Sequence, residues 1–235
     1  MKTAIILAGG QSLRLKPEIP YSKALLNLGR KSLLAYQIDF LTKHGFDQVV
    51  VATTDEILEQ FRAISRHAFY ADVYYSTETE PLGTSGALLK AVEEVTSKQV
   101  YVMNVDDILL NFDPNLLFNA LTRGGIIALG KPRIGFGLAR LKNKLITNFQ
   151  EKPTIKFFAS CGHYTFKTAV LKKYCVPKGS LEKEVFPVLV KERLLEGFKI
   201  SIPWITINTA KEYVEVLKIF NSQITNDEIR RLVNY

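Results

Sequence analysis

The chain has 235 residues, 47% hydrophobic and 23% charged, with a formal net charge of +8. That length buries one substantial core, so a single domain over residues 1–235 is expected, and no apolar run reaches bilayer-spanning length. Met1-Lys2 leads straight into a short strand without a signal-peptide pattern, which points to a cytoplasmic protein with no membrane partner.

Residues 3–7 read as a buried strand, followed at once by Ala8-Gly9-Gly10-Gln11-Ser12-Leu13-Arg14-Leu15, with Lys23 downstream. A strand that ends in two glycines lets the backbone turn sharply and aim unpaired N–H groups at an anion, and Arg14 and Lys23 add positive charge at the same spot. The same glycine pair also occurs in plain strand-to-helix turns, so other motifs must decide. A helix over 33–44 stopped by Gly45, a strand over 49–52, a helix over 56–66, a strand over 73–75, a helix over 85–95 and a strand over 99–104 continue the βαβ rhythm of a parallel sheet.

After Gly124 the pattern changes to closely spaced strands at 126–129, 137–141, 145–149 and 158–166, which predicts antiparallel strands added to one side. The last third reads as helices over 181–192 and 210–220 around a strand over 199–203. Residues 225–235 form an amphipathic pattern, with Ile229, Leu232 and Val233 on one face, suited to packing on this domain or on a second copy. The basic residues are spread out, and the denser runs (Lys142 with Lys144, Lys172-Lys173, Arg230-Arg231) lack interleaved aromatics, which argues against a nucleic-acid partner. Cys161 and Cys175 have no partner cluster at metal spacing and read as reduced and packed, and His44, His67 and His163 are scattered.

In an open α/β sheet, ligands sit outside the carboxyl ends of the strands. Two motifs fall at such ends, the glycine loop and Asn104-Val105-Asp106-Asp107. Asp106 is the candidate for holding Mg²⁺ against a triphosphate, since that ion needs only one or two protein oxygens beside phosphate and water, although an Asp taken alone at such a place more often caps the next turn. Glu80-Pro81-Leu82-Gly83-Thr84-Ser85-Gly86-Ala87-Leu88 is a small-residue loop entering a helix, where backbone groups can read the edge of a nucleobase, or where Thr84 or Ser85 simply caps the helix. Phe149-Gln150-Glu151-Lys152-Pro153 sets an acid for hydroxyls beside a base for a monophosphate, or, taken alone, is plain surface charge.

Taken in order, these motifs, with Gly162-His163-Tyr164-Thr165-Phe166, the segment 181–187 and Trp204-Ile205-Thr206-Ile207-Asn208-Thr209, resemble the sugar-phosphate nucleotidyltransferase (nucleotide-sugar pyrophosphorylase) family over nearly the whole chain. The base loop looks most like that of mannose or heptose 1-phosphate guanylyltransferases. The resemblance implies a Rossmann-like three-layer α/β/α sandwich, with a mostly parallel mixed sheet and a small antiparallel addition. It also implies attack of a sugar 1-phosphate on the α-phosphorus of a nucleoside triphosphate, GTP favoured, releasing pyrophosphate. By that resemblance Arg14, Lys23 and Asp106 are catalytic. Leu7, Ala8, Gly9, Gly10, Gln11, Ser12, Pro81, Leu82, Gly83, Thr84 and Gly86 bind nucleotide. Glu151, Lys152 and Gly137 bind the sugar phosphate, and Asp106 and Asn208 bind Mg²⁺.

Three departures accompany the resemblance. Ser12-Leu13 stand where the family has Gly-Thr, Ser22 stands before Lys23 where it has Pro, and Thr206 takes the place of a second metal-binding Asp, for which Asn208 compensates. Gly-Gly-x-Ser-x-Arg also resembles the molybdenum cofactor guanylyltransferases, and the altered residues leave open a silent nucleotide-sugar-binding regulator. The long repeat domain that some members append is not expected, and a homo-oligomer is open.

Overall fold

In a computed structural model of the protein, residues 1–10, 12, 22–28, 31–65, 69, 71–132, 136–154 and 156–221 are described. Gln11, Arg14, His67, Arg230-Arg231 and the segment 225–235 lie outside them. The first half alternates β1 (Thr3–Leu7), α1 (Leu33–Lys43), β2 (Gln48–Thr54), α2 (Asp55–Ile64), β3 (Asp72–Glu78), α3 (Gly83–Ala91) and β4 (Gln99–Asn104). Then come β5 (Asp107–Leu109), α4 (Pro114–Asn119), β6 (Gly125–Gly130), β7 (Leu138–Lys142), β8 (Leu145–Gln150), β9 (Ala159–Lys167) and α5 (Thr168–Tyr174). The chain continues through α6 (Phe186–Lys191), β10 (Leu195–Lys199), β11 (Trp204–Thr206) and α7 (Ala210–Asn221).

Seven strands form one sheet in the order β10-β6-β9-β4-β1-β2-β3. All residues of β1 are buried, as a strand covered on both faces requires. Ala4, Ile6, Val49, Val51, Tyr101 and Met103 point into a core closed by α1, α2, α4 and α7. Ile5, Leu7, Val50, Ala52, Val100 and Val102 point into a second core under α3, α5 and α6. This is the expected three-layer α/β/α sandwich. Ser32 and Thr54 start α1 and α2 by accepting the N–H groups of Ala35 and Ile57, so the chain turns into each helix straight after a polar cap.

The second half differs in detail from the sequence expectation. Only β9 runs antiparallel within the main sheet, inserted between β4 and β6, while β6 and β10 are parallel to each other. Strands β7 and β8 stand apart as a two-stranded hairpin. The strand expected over 199–203 does not form there: β10 runs over Leu195–Lys199 and shares only Lys199 with it, and Pro203, with no N–H to give a ladder, lies beyond the strand's end. The helix expected over 181–192 opens with a wider π-type turn at Leu181–Val185 and becomes α-helical only at Phe186, where Pro187 lacks a donor in the first turn. The helix expected over 85–95 starts at Gly83, ends at Ala91 and tightens into a 3₁₀ turn at Val92–Glu94.

Cys161 and Cys175 are free and buried, and burial pushes their thiols up to about 12 and about 11. No helix among the described residues is long and apolar enough to cross a membrane.

Candidate active site

The carboxyl ends of β1 and β4 lie side by side, Leu7 opposite Asn104, and the Val105 N–H closes the pair by donating to the Leu7 carbonyl at 3.1 Å. A cleft of about 450 Å³ opens there. It is lined by Leu7, Ala8, Gly9, Gly10 and Ser12 after β1, by Ser22 and Lys23, by Ala52 and Glu78 from β2 and β3, by Pro81, Gly83, Thr84 and Ala87 around the start of α3, and by Asn104, Val105 and Asp106 after β4. Of the expected nucleotide residues, Leu82 and Gly86 do not line it.

Ser12 has φ +52, the left-handed conformation that a glycine supplies without steric cost. It also accepts the Lys23 backbone N–H on its hydroxyl at 2.9 Å. The glycine loop thereby keeps its turn with serine at this place, and is tied to the segment that carries Lys23.

Lys23 sits in a short 3₁₀ turn, Lys23–Leu25, and donates from Nζ to Asp106 Oδ2 at 2.6 Å and to Asn208 Oδ1 at 2.9 Å. Three residues from distant parts of the chain therefore meet at one positive point. Among the described residues there is no group of three or more His, Cys, Asp or Glu side chains that could hold a metal. Two hard oxygens nevertheless converge on one cationic atom. That donor set fits Mg²⁺, which takes its remaining ligands from water and substrate phosphate.

Behind Asp106 lies a polar layer that sequence reasoning did not assign. Asp107 is 6% exposed and accepts the Trp204 indole N–H on Oδ1 and the Asn104 amide on Oδ2, each at 2.9 Å, and Thr206 stands opposite it in the β5–β11 pairing. Burial, and then the neighbouring Asp106 charge, push its carboxyl up to about 7, partly offset by Asn104, Trp204 and Thr206 beside it. The only sequence signal was the doubled aspartate. His163 on β9 donates from Nε2 to the Asp107 carbonyl at 3.1 Å, so its Nδ1 accepts from the Tyr101 hydroxyl at 2.6 Å.

Burial lowers the His163 imidazole to about 4, so it folds neutral. Below a pH of about 6.5 the unfolded chain binds a proton that the folded site refuses, and stability drains as pH falls toward about 4. Melting curves at pH 7.5 and pH 5 are expected to show a larger drop for the parent protein than for His163→Gln. Asp107 contributes the opposite slope in both proteins, so equal drops would count against a neutral His163.

Glu78, at the end of β3, is a second residue the sequence did not reveal. It is 7% exposed, accepts the Leu82 N–H on Oε2 at 3.3 Å, and has Oε1 over Gly9, where a Cβ would come within 2.8 Å. Burial raises its carboxyl, partly offset by Leu82 and Lys90. Glycine at position 9 lets this carboxylate lie against the loop without being displaced.

The base loop is fastened from outside the cleft. Gly83 has φ +73, and a side chain there would strike the Gly179 carbonyl, which itself accepts the Ser85 N–H at 3.0 Å. Neither Thr84 nor Ser85 caps α3. The Thr84 hydroxyl accepts from the Leu181 N–H and that of Ser85 from the Val176 N–H, so both bind the loop to the segment before α6. Gly86 packs against the Pro177 carbonyl.

The expected sugar-phosphate residues lie elsewhere. Gly137, Glu151 and Lys152 cluster at one end of the β7–β8 hairpin, where a Cβ on Gly137 would meet the Phe149 ring and, at 3.0 Å, Glu151 Oε2. Glu151 and Lys152 are exposed, and none of the three lines the cleft.

A family model described as Nucleotidyl transferase matches residues 3–219. The chain belongs to this nucleotidyl transferase family. Within it the chain groups with the sugar-phosphate nucleotidyltransferases. It is 29% identical over 246 residues to a mannose-1-phosphate guanyltransferase of Gibberella zeae, covering 98% of this chain and 67% of that one. It is 30% identical over 244 residues to a mannose-1-phosphate guanylyltransferase catalytic subunit beta of Danio rerio, covering 97% of this chain and 67% of that one. Among solved structures, HddC of Yersinia pseudotuberculosis shares the fold and superposes with a TM-score of 0.73 at 20% identity, covering 94% of this chain and 100% of that one. The same protein complexed with GMP-PN superposes at 0.71 and 18% identity, covering 94% of this chain and 100% of that one.

Proposed function

We propose that this nucleotidyl transferase, working as one domain, joins the nucleoside monophosphate of GTP to a hexose 1-phosphate and releases pyrophosphate. The observation that carries this reading is the meeting of Lys23, Asp106 and Asn208 beside the glycine-loop cleft. The phosphates lie along Ala8, Gly9, Gly10 and Ser12, which line the cleft. A phosphate oxygen of the sugar 1-phosphate forms the new bond to the α-phosphorus, and the bond from that phosphorus to the pyrophosphate oxygen breaks. The nucleophile is already anionic, so no base is needed, and rate comes from alignment and charge neutralisation. Lys23 supplies positive charge at the reacting phosphate. Asp106 and Asn208 would hold Mg²⁺, which supplies charge neutralisation when bound. Glu151, Lys152 and Gly137 receive the sugar phosphate from the hairpin side.

Glu78 supports guanine. Its carboxylate only accepts, and the guanine edge offers two adjacent donors, N1–H and N2–H, whereas adenine and uracil place an acceptor beside their donor. The relatives named above as mannose-1-phosphate guanyltransferases point the same way.

The test is pyrophosphate release from mannose 1-phosphate with Mg²⁺ and GTP, ATP or UTP. Release with GTP ahead of the others is expected. Release with no triphosphate and no sugar phosphate would overturn it, and nucleotide-sugar binding without turnover would favour a regulatory role. Glu78→Gln, which replaces one acceptor by a donor, is expected to narrow the preference for GTP over UTP by about tenfold or more. An unchanged ratio of kcat/KM values would remove Glu78 from base selection.

A further inference from the structure

The donor and acceptor pattern behind Asn208 has a single consistent direction. Lys23 Nζ carries only donors, so Asn208 must turn its Oδ1 toward it, as it does at 2.9 Å. The other end of that amide, Nδ2, donates to Thr206 Oγ1 at 3.1 Å. Thr206 has one hydrogen of its own, and the acceptor-only group the ladder sets opposite it is the Asp107 carboxylate. Asp107 lies directly opposite Thr206 in the antiparallel β5–β11 ladder, so the register brings the two side chains together.

Asp107 is itself pinned. Trp204 and Asn104 donate to its two carboxylate oxygens, and Gln37 and His163 donate to its backbone carbonyl at 3.2 and 3.1 Å. The Asn208 backbone is fixed as well, its N–H donating to Glu212 Oε2 at 2.8 Å. Turning the Asn208 amide over would set its NH₂ against the Lys23 ammonium and its oxygen against the Thr206 oxygen. Each reversal removes a hydrogen bond and adds a repulsion.

We infer that Asp107 and Thr206 are positioning residues that act through Asn208, holding its amide oxygen toward Asp106 so that an uncharged side chain serves as a cation ligand. This rests on the proposed function, in which the cation is the one that accompanies the triphosphate. An amide has one oxygen where a carboxylate has two, so its usefulness as a ligand depends on which end faces the ion.

The experiment measures GTP affinity of the full chain by calorimetry, in EDTA and in Mg²⁺, so that the ratio of the two reports the metal's contribution without turnover. In the parent protein Mg²⁺ is expected to tighten GTP binding, and in Thr206→Val that gain is expected to shrink about tenfold, with binding in EDTA unchanged. Thr206→Ser, which keeps the hydroxyl, is expected to recover the parent's gain. In an Asn208→Asp background, where either carboxylate oxygen serves, Thr206→Val is expected to cost nothing further.

A purely structural role for Thr206 would instead give the same loss in both backgrounds, and that result overturns the relay while leaving the proposed function standing. Asp107→Asn, which can donate where the carboxylate accepted, is expected to reproduce the Thr206→Val loss with every β11 residue kept, and covers the case in which Thr206→Val melts early. An unreduced gain there overturns the relay too. GTP binding in neither condition would overturn the proposed function, and the relay with it.

Discussion

Replacing Lys23 by methionine is expected to lower kcat/KM for pyrophosphate release by about 10²–10³-fold, the scale on which removing one placed electrostatic group raises a transition state. The side chain is only 16% exposed, and its ammonium is the atom on which Asp106 and Asn208 both converge. Methionine keeps most of the stem and removes the charge, so the carboxylate of Asp106, 22% exposed, loses its cation where the triphosphate must lie. Two effects then add. The reacting phosphate loses positive charge, and an uncompensated carboxylate repels it.

The loss should fall mainly on kcat, because the backbone loop still holds the substrate's phosphates. Folding should change much less, by about 1 kcal/mol, since the pair is not fully desolvated. Steady-state kinetics alongside thermal melting separates the two. A change below threefold in kcat with a large fall in melting temperature would make Lys23 a prop for Asp106 and no more.

Gly162→Ala is expected to destabilise the fold by about 3 kcal/mol, the sum of about 1–2 for a left-handed side-chain-bearing residue and about 1–3 for overpacking. Gly162 has φ +69 in the middle of β9, and a Cβ there would fall well inside contact with Asp107 Oδ2 and within 2.8 Å of Asn104 Nδ2. Neither neighbour can yield cheaply. Asp107 is held by Trp204, and its other oxygen is the one the new methyl would displace from Asn104. For a domain of this size the melting temperature should fall by about 6–12 °C. The damage should also reach the chemistry, because Asp107 opens β5 and follows Asp106 directly. A melting temperature within about 2 °C of the parent would mean that β9 shifts to admit the methyl, which the close packing of such interiors disfavours.

Much of the architecture follows from local pattern. The boundaries of β1 and β4 were legible to the residue because apolar runs flanked by polar residues leave little choice. The alternation of strands and helices through β4 demanded a parallel sheet. The second half was less legible for a physical reason. β9 has residues buried on both faces whichever way it runs, so its sequence is compatible with parallel or antiparallel pairing, and its insertion between β4 and β6 is settled by long-range contacts. In the same way α4 and α5 are short, with few turns over which a period can be read.

The residue types at the cleft were written in the chain: the glycine loop, Lys23, Asp106, the base loop and Asn208 each carry a local signature of turn, charge or strand end. The chain alone determined that these pieces belong to phosphate chemistry on an α/β sheet, because periodicity and turn preference are local properties. Only the tertiary structure decided which of them meet. It brought residues 23, 106 and 208 to one point, gave Ser12 its left-handed turn, and left the hairpin residues 137, 151 and 152 outside the cleft. It also disclosed Glu78 and Asp107, whose roles depend on burial and on which donors face them. Burial and hydrogen-bond direction are set by neighbours far apart in sequence, and no short motif encodes them.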